Sequence, residues 1–213
     1  MEIRSATAAD VESVLNLQAR VVAGLTHPDM LYADDANFYR SIIAGRGQIT
    51  LACHEERLVG CSVLRFPDVA GADNLGRDIG LSVNDLGRVA HLEAAYFLPE
   101  YRGRGLGQVL GRRNLDSAAA HERPLVCSTA WPGNTPSLKN LFTLGFRIRA
   151  IAEKYDGKLR FILMHTGLTV SNMGKASILV NALDSTGHEQ ALKRGLQGTG
   201  LKLNGKTVQV VYT

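Results

Sequence analysis

The sequence predicts a mixed α/β fold, in which one sheet of parallel and antiparallel strands carries helices on its faces. Its 213 residues are 45% hydrophobic and 21% charged, which is the composition of a globular chain with one sizeable core. Apolar residues recur at strand spacing and at helix spacing in the order β-α-α-β-β-β-α-β-α-β-β up to residue 168. A smaller β-α-β-β pattern then follows, so we expect a main domain over residues 1–168 and a C-terminal extension over residues 169–213.

Each element has a local signal. The first helix follows a capping box at Thr7–Asp10, and the last hairpin of the main domain turns at Asp156–Gly157. Apolar runs predict strands over residues 2–4, 48–53, 58–66, 89–98, 125–130, 146–151, 159–165 and 176–183. Helical spacing predicts helices over residues 11–22, 34–44, 105–121, 136–144 and 188–196. A final hairpin turns at Asn204–Gly205, and residues 68–88, rich in Gly, Asp and Asn, are expected to form a long surface excursion.

Composition and charge exclude several classes of protein. No apolar run approaches the length of a membrane span, and the N-terminus lacks a signal-peptide core, so we expect a cytoplasmic protein without a membrane partner. The three cysteines form no CxxC pair, which argues against a disulfide scaffold and a zinc site. The net charge of +4 includes no Lys/Arg run longer than two residues, so we expect no nucleic-acid partner.

The segment Phe97–Gln108 indicates the chemistry. Glycines stand at every second position from 103 to 107, where a predicted strand turns into a predicted helix. Backbone N–H groups exposed at such a turn, together with the helix dipole, favour binding of an anionic phosphate, and Arg102 and Arg104 add positive charge. A Walker A loop is excluded because Gly107 is not followed by Lys and Ser or Thr, and the GxGxxG dinucleotide pattern is also absent.

Two segments resemble one known family. Arg102-Gly-Arg-Gly-Leu-Gly107 resembles the (R/Q)xxGx(G/A) pyrophosphate loop of the GNAT acetyltransferase superfamily. The segment Asn134–Phe146 is similar to the family's helix that begins at an Asn and ends at Gly-Phe. Both segments occur in family order and at family spacing, and the order of elements agrees across residues 1–168. The extension over residues 169–213 lies outside the resemblance.

The resemblance implies acetyl-coenzyme A as co-substrate and no metal. The backbone amides of the loop would hold its pyrophosphate, namely those of Arg102, Gly103, Arg104, Gly105, Leu106, Gly107 and Gln108. The backbone of Phe97 and Leu98 would pair with the pantetheine arm, where two parallel strands splay apart. Asn134 would hydrogen-bond the same arm, and because Asn is also a favoured helix N-cap, both roles are compatible. Ser137 stands where the family commonly has Ala.

Family members transfer the acyl group directly to an amine, which must first lose a proton because an ammonium has no lone pair. The family often places the base on the strand before the loop, and here that strand contains His91 and Glu93. Positions 91, 93, 95 and 97 are expected to share one face of the strand. The candidates are Glu93 as base and His91 as base or proton relay to solvent. The alternatives are a structural histidine and a paired surface carboxylate.

The general acid that the family often uses, a Tyr four residues before the Gly of Gly-Phe, is replaced by Leu141. Tyr96, Tyr155 and Ser137 are the alternative proton donors, and a thiol of pKa about 8.5 also leaves as a thiolate.

The sequence therefore predicts an N-acetyltransferase that acts on a primary amine of a small molecule or a protein. The alternative is a non-catalytic acyl-CoA-binding sensor or interaction module on the same fold, which the substitution at Leu141 favours. We expect the extension to pack on the main domain or at a subunit interface, since roughly 40 residues rarely fold alone. A homodimer is compatible with the second arrangement.

Overall fold

The computed structural model describes residues 1–165 and 177–213, and their strands form one mixed sheet in the order β1-β2-β3-β4-β5-β7-β6-β9-β10-β8. The strands are β1 Glu2–Ser5, β2 Gly47–His54, β3 Arg57–Arg65, β4 Val89–Phe97, β5 Leu125–Ala130, β6 Phe146–Lys154, β7 Lys158–His165, β8 Ile178–Asn181, β9 Gly198–Asn204 and β10 Thr207–Tyr212. The helices are α1 Val11–Ala23, α2 Ala36–Ser41, α3 Val83–Leu86, α4 Leu106–Ala120, α5 Thr135–Thr143 and α6 Ser185–Lys193.

The mixed α/β fold is confirmed, and so is the order of the elements in the main domain, with the short helix α3 added inside the surface excursion. Helix α6 begins three residues earlier than expected because Asp184 caps it, accepting a hydrogen bond from Gly187 N–H at 3.0 Å. Strand β8 is shorter than the predicted strand 176–183. The start of that predicted strand and the proposed domain boundary at residues 168 and 169 lie outside the described residues.

Strands β4 and β5 are parallel, whereas every other neighbouring pair in the sheet is antiparallel. Their pairing extends only from Val89 opposite Leu125 to His91 opposite Cys127. Beyond those residues both strands continue without pairing to each other, so the sheet opens between them. The expected splay between two parallel strands is therefore present.

A β-bulge in β4 changes which side chains share a face. Leu92 pairs with Leu64 and Ala95 with Ser62, so that Glu93 and Ala94 together oppose one residue of β3. The extra residue reverses the alternation, and His91 and Phe97 come to lie on opposite faces of the sheet. The prediction that positions 91, 93, 95 and 97 share one face is therefore wrong.

Helices cover both faces of the sheet around this opening. Helix α4 lies over the face of Ser62, where Asn114 Nδ2 donates a hydrogen bond to Ser62 Oγ at 3.0 Å. Helix α1 lies over the opposite face, where Tyr96 O–H donates to Gln18 Oε1 at 2.8 Å. In the described part of the chain, no helix is long and apolar enough to cross a membrane.

The C-terminal elements share a hydrophobic core with the main sheet. Val180, Ala191, Val210 and Tyr212 belong to the same buried cluster as Phe146, Ile148 and Phe161. The fully buried His188 of α6 packs its ring edge-on against Phe161, with centroids 4.7 Å apart, and accepts a hydrogen bond from Tyr212 O–H at 3.0 Å. Strand β9 also continues the sheet beside β6.

We expect Tyr212→Ala to destabilise the whole chain and not only its C-terminal part. Truncation of a fully buried aromatic side chain costs about 3–5 kcal/mol, and Tyr212 is 0% exposed. Urea unfolding followed by the fluorescence of Trp131, the single tryptophan, should show a lower midpoint. Leu203→Ala, at a side chain that is 52% exposed, is the control and should stay within about 0.5 kcal/mol of the original chain. An unchanged Trp131 transition in Tyr212→Ala would contradict the shared core.

Candidate active site

A cavity of about 600 Å³ passes through the sheet where β4 and β5 separate. On the α4 side it is lined by the loop that precedes α4 and by α5. On the α1 side it is lined by the loop between α1 and α2, by Tyr155 of the β6–β7 turn and by Arg160 of β7. The C-terminal halves of β4 and β5 form its walls. We call the first part the coenzyme side and the second the acceptor side.

The loop before α4 is shaped by two glycines in the left-handed region. Gly103 has φ 71° and Gly105, the N-cap residue of α4, has φ 78°. A Cβ atom at either position would meet no atom within 4 Å, because both positions face open space. The first N–H groups of an α-helix have no partner within the helix, so this end of α4 offers donors to an anion. Gly103, Gly105, Leu106 and Gly107 all line the cavity, as the phosphate-loop prediction requires.

Gln108 provides an unpaired acceptor at the cavity wall. Its Nε2 donates to Asn140 Oδ1 at 2.6 Å and to Asn140 O at 3.1 Å, whereas its buried Oε1 has no hydrogen-bond partner in the described structure. A buried acceptor without a partner costs about 1–3 kcal/mol. A ligand with amide N–H groups would satisfy it. Gly107 permits the close approach to Asn140, since a Cβ there would lie 2.8 Å from Asn140 Oδ1.

The structure separates Phe97 from Leu98. Phe97 lines the cavity, and its carbonyl accepts a hydrogen bond from Arg102 Nε at 3.0 Å. Leu98 is 1% exposed and does not line the cavity, and its N–H donates to Val59 O at 3.0 Å. Its carbonyl accepts from Tyr101 N–H at 2.9 Å, so the backbone of Leu98 is already paired and is not free to pair with a pantetheine arm.

Arg102 and Arg104 differ in position. Arg102 lines the cavity, whereas Arg104 lies outside it with its guanidinium carbon 5.2 Å from the centroid of the Tyr101 ring. Both are exposed, so each contributes a screened positive charge near the loop.

Asn134 is the N-cap of α5, as one of its two predicted roles requires, because its Oδ1 accepts from Ser137 N–H at 3.2 Å. Its Nδ2 donates to Met30 O at 3.1 Å and ties the loop between α1 and α2 to this corner of the cavity. Asn134 and Ser137 both line the cavity. A contact of Asn134 with the coenzyme stays a prediction.

Glu93 lines the cavity, and its carboxylate contacts Arg65 and His91. Its Oε1 accepts a hydrogen bond from Arg65 Nε at 2.5 Å and lies 3.3 Å from His91 Nδ1. Burial alone would raise the pKa of the Glu93 carboxyl, but the hydrogen bond with His91 and the charge of Arg65 outweigh burial and lower this pKa to about 2. Glu93 is therefore ionised at neutral pH and is a weak proton acceptor.

His91 is 1% exposed and does not line the cavity. Leu75 N–H donates to its Nε2 at 3.1 Å, and its Nδ1 faces Arg65 Nη2 at 2.9 Å and Glu93. A proton passed from Glu93 through this ring would arrive at a backbone N–H group and not at water. The structure thus removes the role of His91 as a relay to solvent and leaves it as a residue that positions Glu93.

Asp34 is a cavity carboxylate that the sequence reasoning missed. The amide of Gln18 clamps its backbone, since Gln18 Nε2 donates to Asp34 O at 2.8 Å and Asp34 N–H donates to Gln18 Oε1 at 3.0 Å. Tyr39 and Tyr96 also donate their hydroxyls to this Gln18 oxygen. Burial and then the charge of Glu93 raise the pKa of the Asp34 carboxyl to about 7. The sequence predicted Asp34 only as the first residue of a helix over residues 34–44, whereas α2 begins at Ala36 and leaves Asp34 in the preceding loop.

The tyrosine hydroxyls predicted as alternative proton donors differ in their access to the cavity. Tyr96 is 0% exposed and its hydroxyl is committed to Gln18, and burial raises its pKa, so it does not reach the cavity. Tyr155 lines the cavity, its hydroxyl lies 3.1 Å from Thr129 Oγ1, and burial raises its pKa to about 12. Leu141 is 4% exposed and presents an apolar surface to the cavity.

A mixed sheet that opens between two parallel strands beside a glycine-rich helix N-terminus has the architecture expected of an acyl-CoA-binding domain. The sequence matches the acetyltransferase (GNAT) family over residues 13–146, more than half of its length. The chain belongs to this family. No protein with a curated description matches it.

Solved structures agree with this assignment at the level of the fold. A putative acetyltransferase of Salmonella typhimurium, determined with its cofactor acetyl-CoA, is 18% identical with a TM-score of 0.56, over 77% of this chain and 91% of that one. The ribosomal-protein-S18-alanine N-acetyltransferase of Escherichia coli is 15% identical with a TM-score of 0.57, over 82% and 99%. A GCN5-related N-acetyltransferase of Kribbella flavida is 21% identical with a TM-score of 0.57, over 78% and 96%.

We expect Asp34→Asn to stabilise the folded chain at pH 8. A carboxyl whose pKa is higher in the folded than in the unfolded chain loses stability as pH rises from about 4 to about 7, because the unfolded chain releases its proton first. The variant keeps the backbone bonds to Gln18 and should raise the melting temperature at pH 8 by about 2–4 °C or more, the effect of 1 kcal/mol in a chain of this size. The gain should disappear near pH 4.

Asp35→Asn is the matched control. Asp35 is exposed and caps α2 by accepting from Phe38 N–H at 2.8 Å, a role that Asn also fills. Its melting temperature should follow that of the original chain at both pH values. Equal behaviour of the two variants would show that the pKa of Asp34 is not raised.

Proposed function

We propose that the chain transfers an acetyl group from acetyl-CoA to a primary amine by direct attack. One observation supports this proposal above all, namely a cavity that joins the two faces of the sheet between β4 and β5. Phosphate-binding geometry lies on one side and ionisable carboxyl groups lie on the other. The coenzyme and the amine would thus approach one another from opposite faces.

The residues of the coenzyme side fit acetyl-CoA, which supplies an acyl group activated as a thioester. Backbone N–H groups at the start of α4 and the charge of Arg102 would hold the pyrophosphate. The unpaired Oε1 of Gln108 would accept an amide N–H of the pantetheine arm. Phe97, Asn134 and Ser137 would line the path of that arm.

Direct attack is supported by the state of the cysteines. Cys53, Cys61 and Cys127, all the cysteines of the chain, are free and buried. Burial raises the pKa of the Cys61 and Cys127 thiols to about 12, so neither is a thiolate at neutral pH. A covalent acyl-cysteine intermediate would therefore lack an accessible nucleophile, which supports attack on the thioester by the amine itself.

We assign to Asp34 the removal of a proton from the substrate ammonium. We assign to Glu93 the electrostatic attraction that holds this ammonium in the cavity. A base works best when its pKa lies near the working pH, and the pKa of Asp34 is about 7 whereas that of Glu93 is about 2. Two neighbouring carboxyl groups with separated pKa values commonly divide the acid–base work in this way. The sequence-based alternative is Glu93 as the base, acting directly or through one water.

A non-catalytic acyl-CoA-binding sensor is the second candidate. It is favoured by Leu141, which carries no hydroxyl at the position where the family often has a general-acid Tyr; the tyrosines that line the cavity, Tyr32, Tyr101 and Tyr155, lie elsewhere in the chain. Release of free coenzyme A thiol in the presence of amines distinguishes the enzyme from the sensor, which would bind acetyl-CoA without turnover.

Gly105→Val should abolish binding of acetyl-CoA. The β-branched side chain would occupy the open space in front of the loop and would strain a residue at φ 78°. The original chain should show a melting temperature that rises with acetyl-CoA concentration, and the variant should show no rise.

Gly195→Val controls for strain alone. Gly195 has φ 79°, also faces open space, and follows α6 far from the cavity in sequence. This variant should lose stability by a similar amount yet keep the shift with acetyl-CoA. A full shift in Gly105→Val would reject the phosphate-loop assignment.

Asp34→Asn should lower kcat/KM at pH 7 by roughly 10²–10⁴-fold, the usual loss for a positioned base. In the original chain kcat/KM should rise with pH through about 7, because Asp34 accepts a proton only when ionised, and in the variant this limb should vanish. Glu93→Gln should move the limb to lower pH, since the charge of Glu93 helps to raise the pKa of Asp34.

The charged groups that act on Asp34 are Glu93 on β4, Arg65 on β3 and the adjacent Asp35. The effect of the exposed Asp35 is the smallest of these, so Asp35→Asn should retain nearly the full rate. A loss of 10²-fold or more in Glu93→Gln across pH 6 to 9, together with an unaltered pH limb in Asp34→Asn, would return the base role to Glu93.

A further inference from the structure

Arg160 is a buried cation at the acceptor side of the cavity. Its residue is 3% exposed and lines the cavity. Within residues 1–165 and 177–213, its hydrogen bonding is limited to one bond, from Nη1 to Leu159 O at 3.0 Å, and no carboxylate oxygen lies within 4.0 Å of the guanidinium. Burial lowers the pKa of Arg160, as expected where no counter-ion offsets the loss of water.

Arg65, near the same cavity, has the anionic partners that Arg160 lacks in the described part of the chain. Arg65 is also largely buried, but it binds Glu93 and donates to Asp73 Oδ2 at 2.6 Å. The carboxyl group with an electrostatic effect on Arg160 is that of Asp29, which forms an ion pair with Lys158 at 3.7 Å. A guanidinium carries a full positive charge, and burying this charge without an anion is costly.

Strand register places Arg160 on the acceptor side. Arg160 shares a face of β7 with Ile162, which pairs with Thr129 of β5. The Thr129 hydroxyl lies 3.1 Å from that of Tyr155, and the guanidinium carbon of Arg160 lies 5.5 Å from the centroid of the Tyr155 ring. This face is opposite to the one covered by α4, so Arg160 is separated from the phosphate-binding loop by the sheet.

Tyr155 is close enough to charges of both signs to be affected by them. The charge of Glu93 raises its pKa and the charge of Arg160 lowers it, beneath the larger effect of burial. The acceptor side thus presents both the carboxyl groups of Asp34 and Glu93 and a guanidinium without a carboxylate partner among the residues that the structure describes. A ligand of matching charge distribution carries an ammonium and a carboxylate on one small molecule.

We propose that Arg160 binds the carboxylate of the acceptor, and that the acceptor is a free amino acid. This inference rests on the proposed acetyl transfer and names the substrate class of the same site. An Arg–carboxylate pair in a water-poor cavity is bidentate and selective, because the neutral amide of the same acid leaves the cation unpaired. A peptide N-terminus carries an amide at that position and would be a poor substrate.

The test compares matched acceptors with the original chain and with Arg160→Gln. The acceptors are the twenty common amino acids, their α-amides, their decarboxylated amines and an alanine-initiated peptide, with acetyl-CoA and thiol release as the readout. The preferred amino acid should exceed its amide in kcat/KM by about 10–100-fold, the value of a hydrogen-bonded charge pair. Arg160→Gln should lose that preference by lowering the rate with the amino acid and not the rate with the amide.

Two further measurements keep the outcomes separate. The melting-temperature shift with acetyl-CoA should be unchanged in Arg160→Gln, and Arg160→Lys should recover part of the preference for the carboxylate. An equal preference for amides or for the peptide in the original chain would overturn the proposal, as would equal losses with all acceptors in Arg160→Gln, which indicate a purely structural residue. If acetyl-CoA binds without any turnover, the proposed function fails, and the melting-temperature shift with amino acids against amides then decides the carboxylate site alone.

Discussion

The bulge in β4 is the constraint on which the rest of the site depends. By placing Glu93 and Ala94 opposite a single residue of β3, it leaves Glu93 on the face of Arg65 but turns Phe97 to the opposite face. Beyond His91 the two parallel strands make no further pairs, and the sheet opens into a cavity with access from both faces. A regular strand would have continued the pairing, and the coenzyme and acceptor sides would then be separated by the sheet.

Two buried polar networks hold the opening in shape from opposite faces. On the α1 face, Gln18 joins the hydroxyls of Tyr39 and Tyr96 to the backbone of Asp34. On the α4 face, Asn114 accepts from Thr50 Oγ1 at 2.7 Å and donates to Ser62. Fully paired networks of this kind fix one arrangement of the surrounding helices, because any displacement leaves buried polar atoms unpaired. The position of Asp34 at the cavity is thus determined by side chains far from it in sequence.

The sequence predicted what depends on local signals. The glycines of the loop before α4 require positive φ values, and the Asn134 cap reflects a local side-chain bond, so both could be recognised in advance. That His91 and Phe97 lie on opposite faces of the sheet could not be recognised in advance, since the bulge is a property of the pairing between two strands. Asp34 and Arg160 could not be recognised for a similar reason, because only the fold shows which partners a single Asp or a strand Arg has.

The distribution of charge compensation then separates structural from functional ions. Arg65 and Glu93 form an ion pair that fixes local structure and keeps the Glu93 carboxylate ionised beside the cavity. Asp34 and Arg160 each remain without such a partner among the described residues. Burial raises the pKa of Asp34 and lowers that of Arg160, and both shifts favour the neutral form of the side chain. The folded chain alone gains nothing from these two arrangements, because each costs free energy that an apolar or exposed residue would not. A zwitterion would relieve both costs at once, since its ammonium and its carboxylate supply the two missing partners.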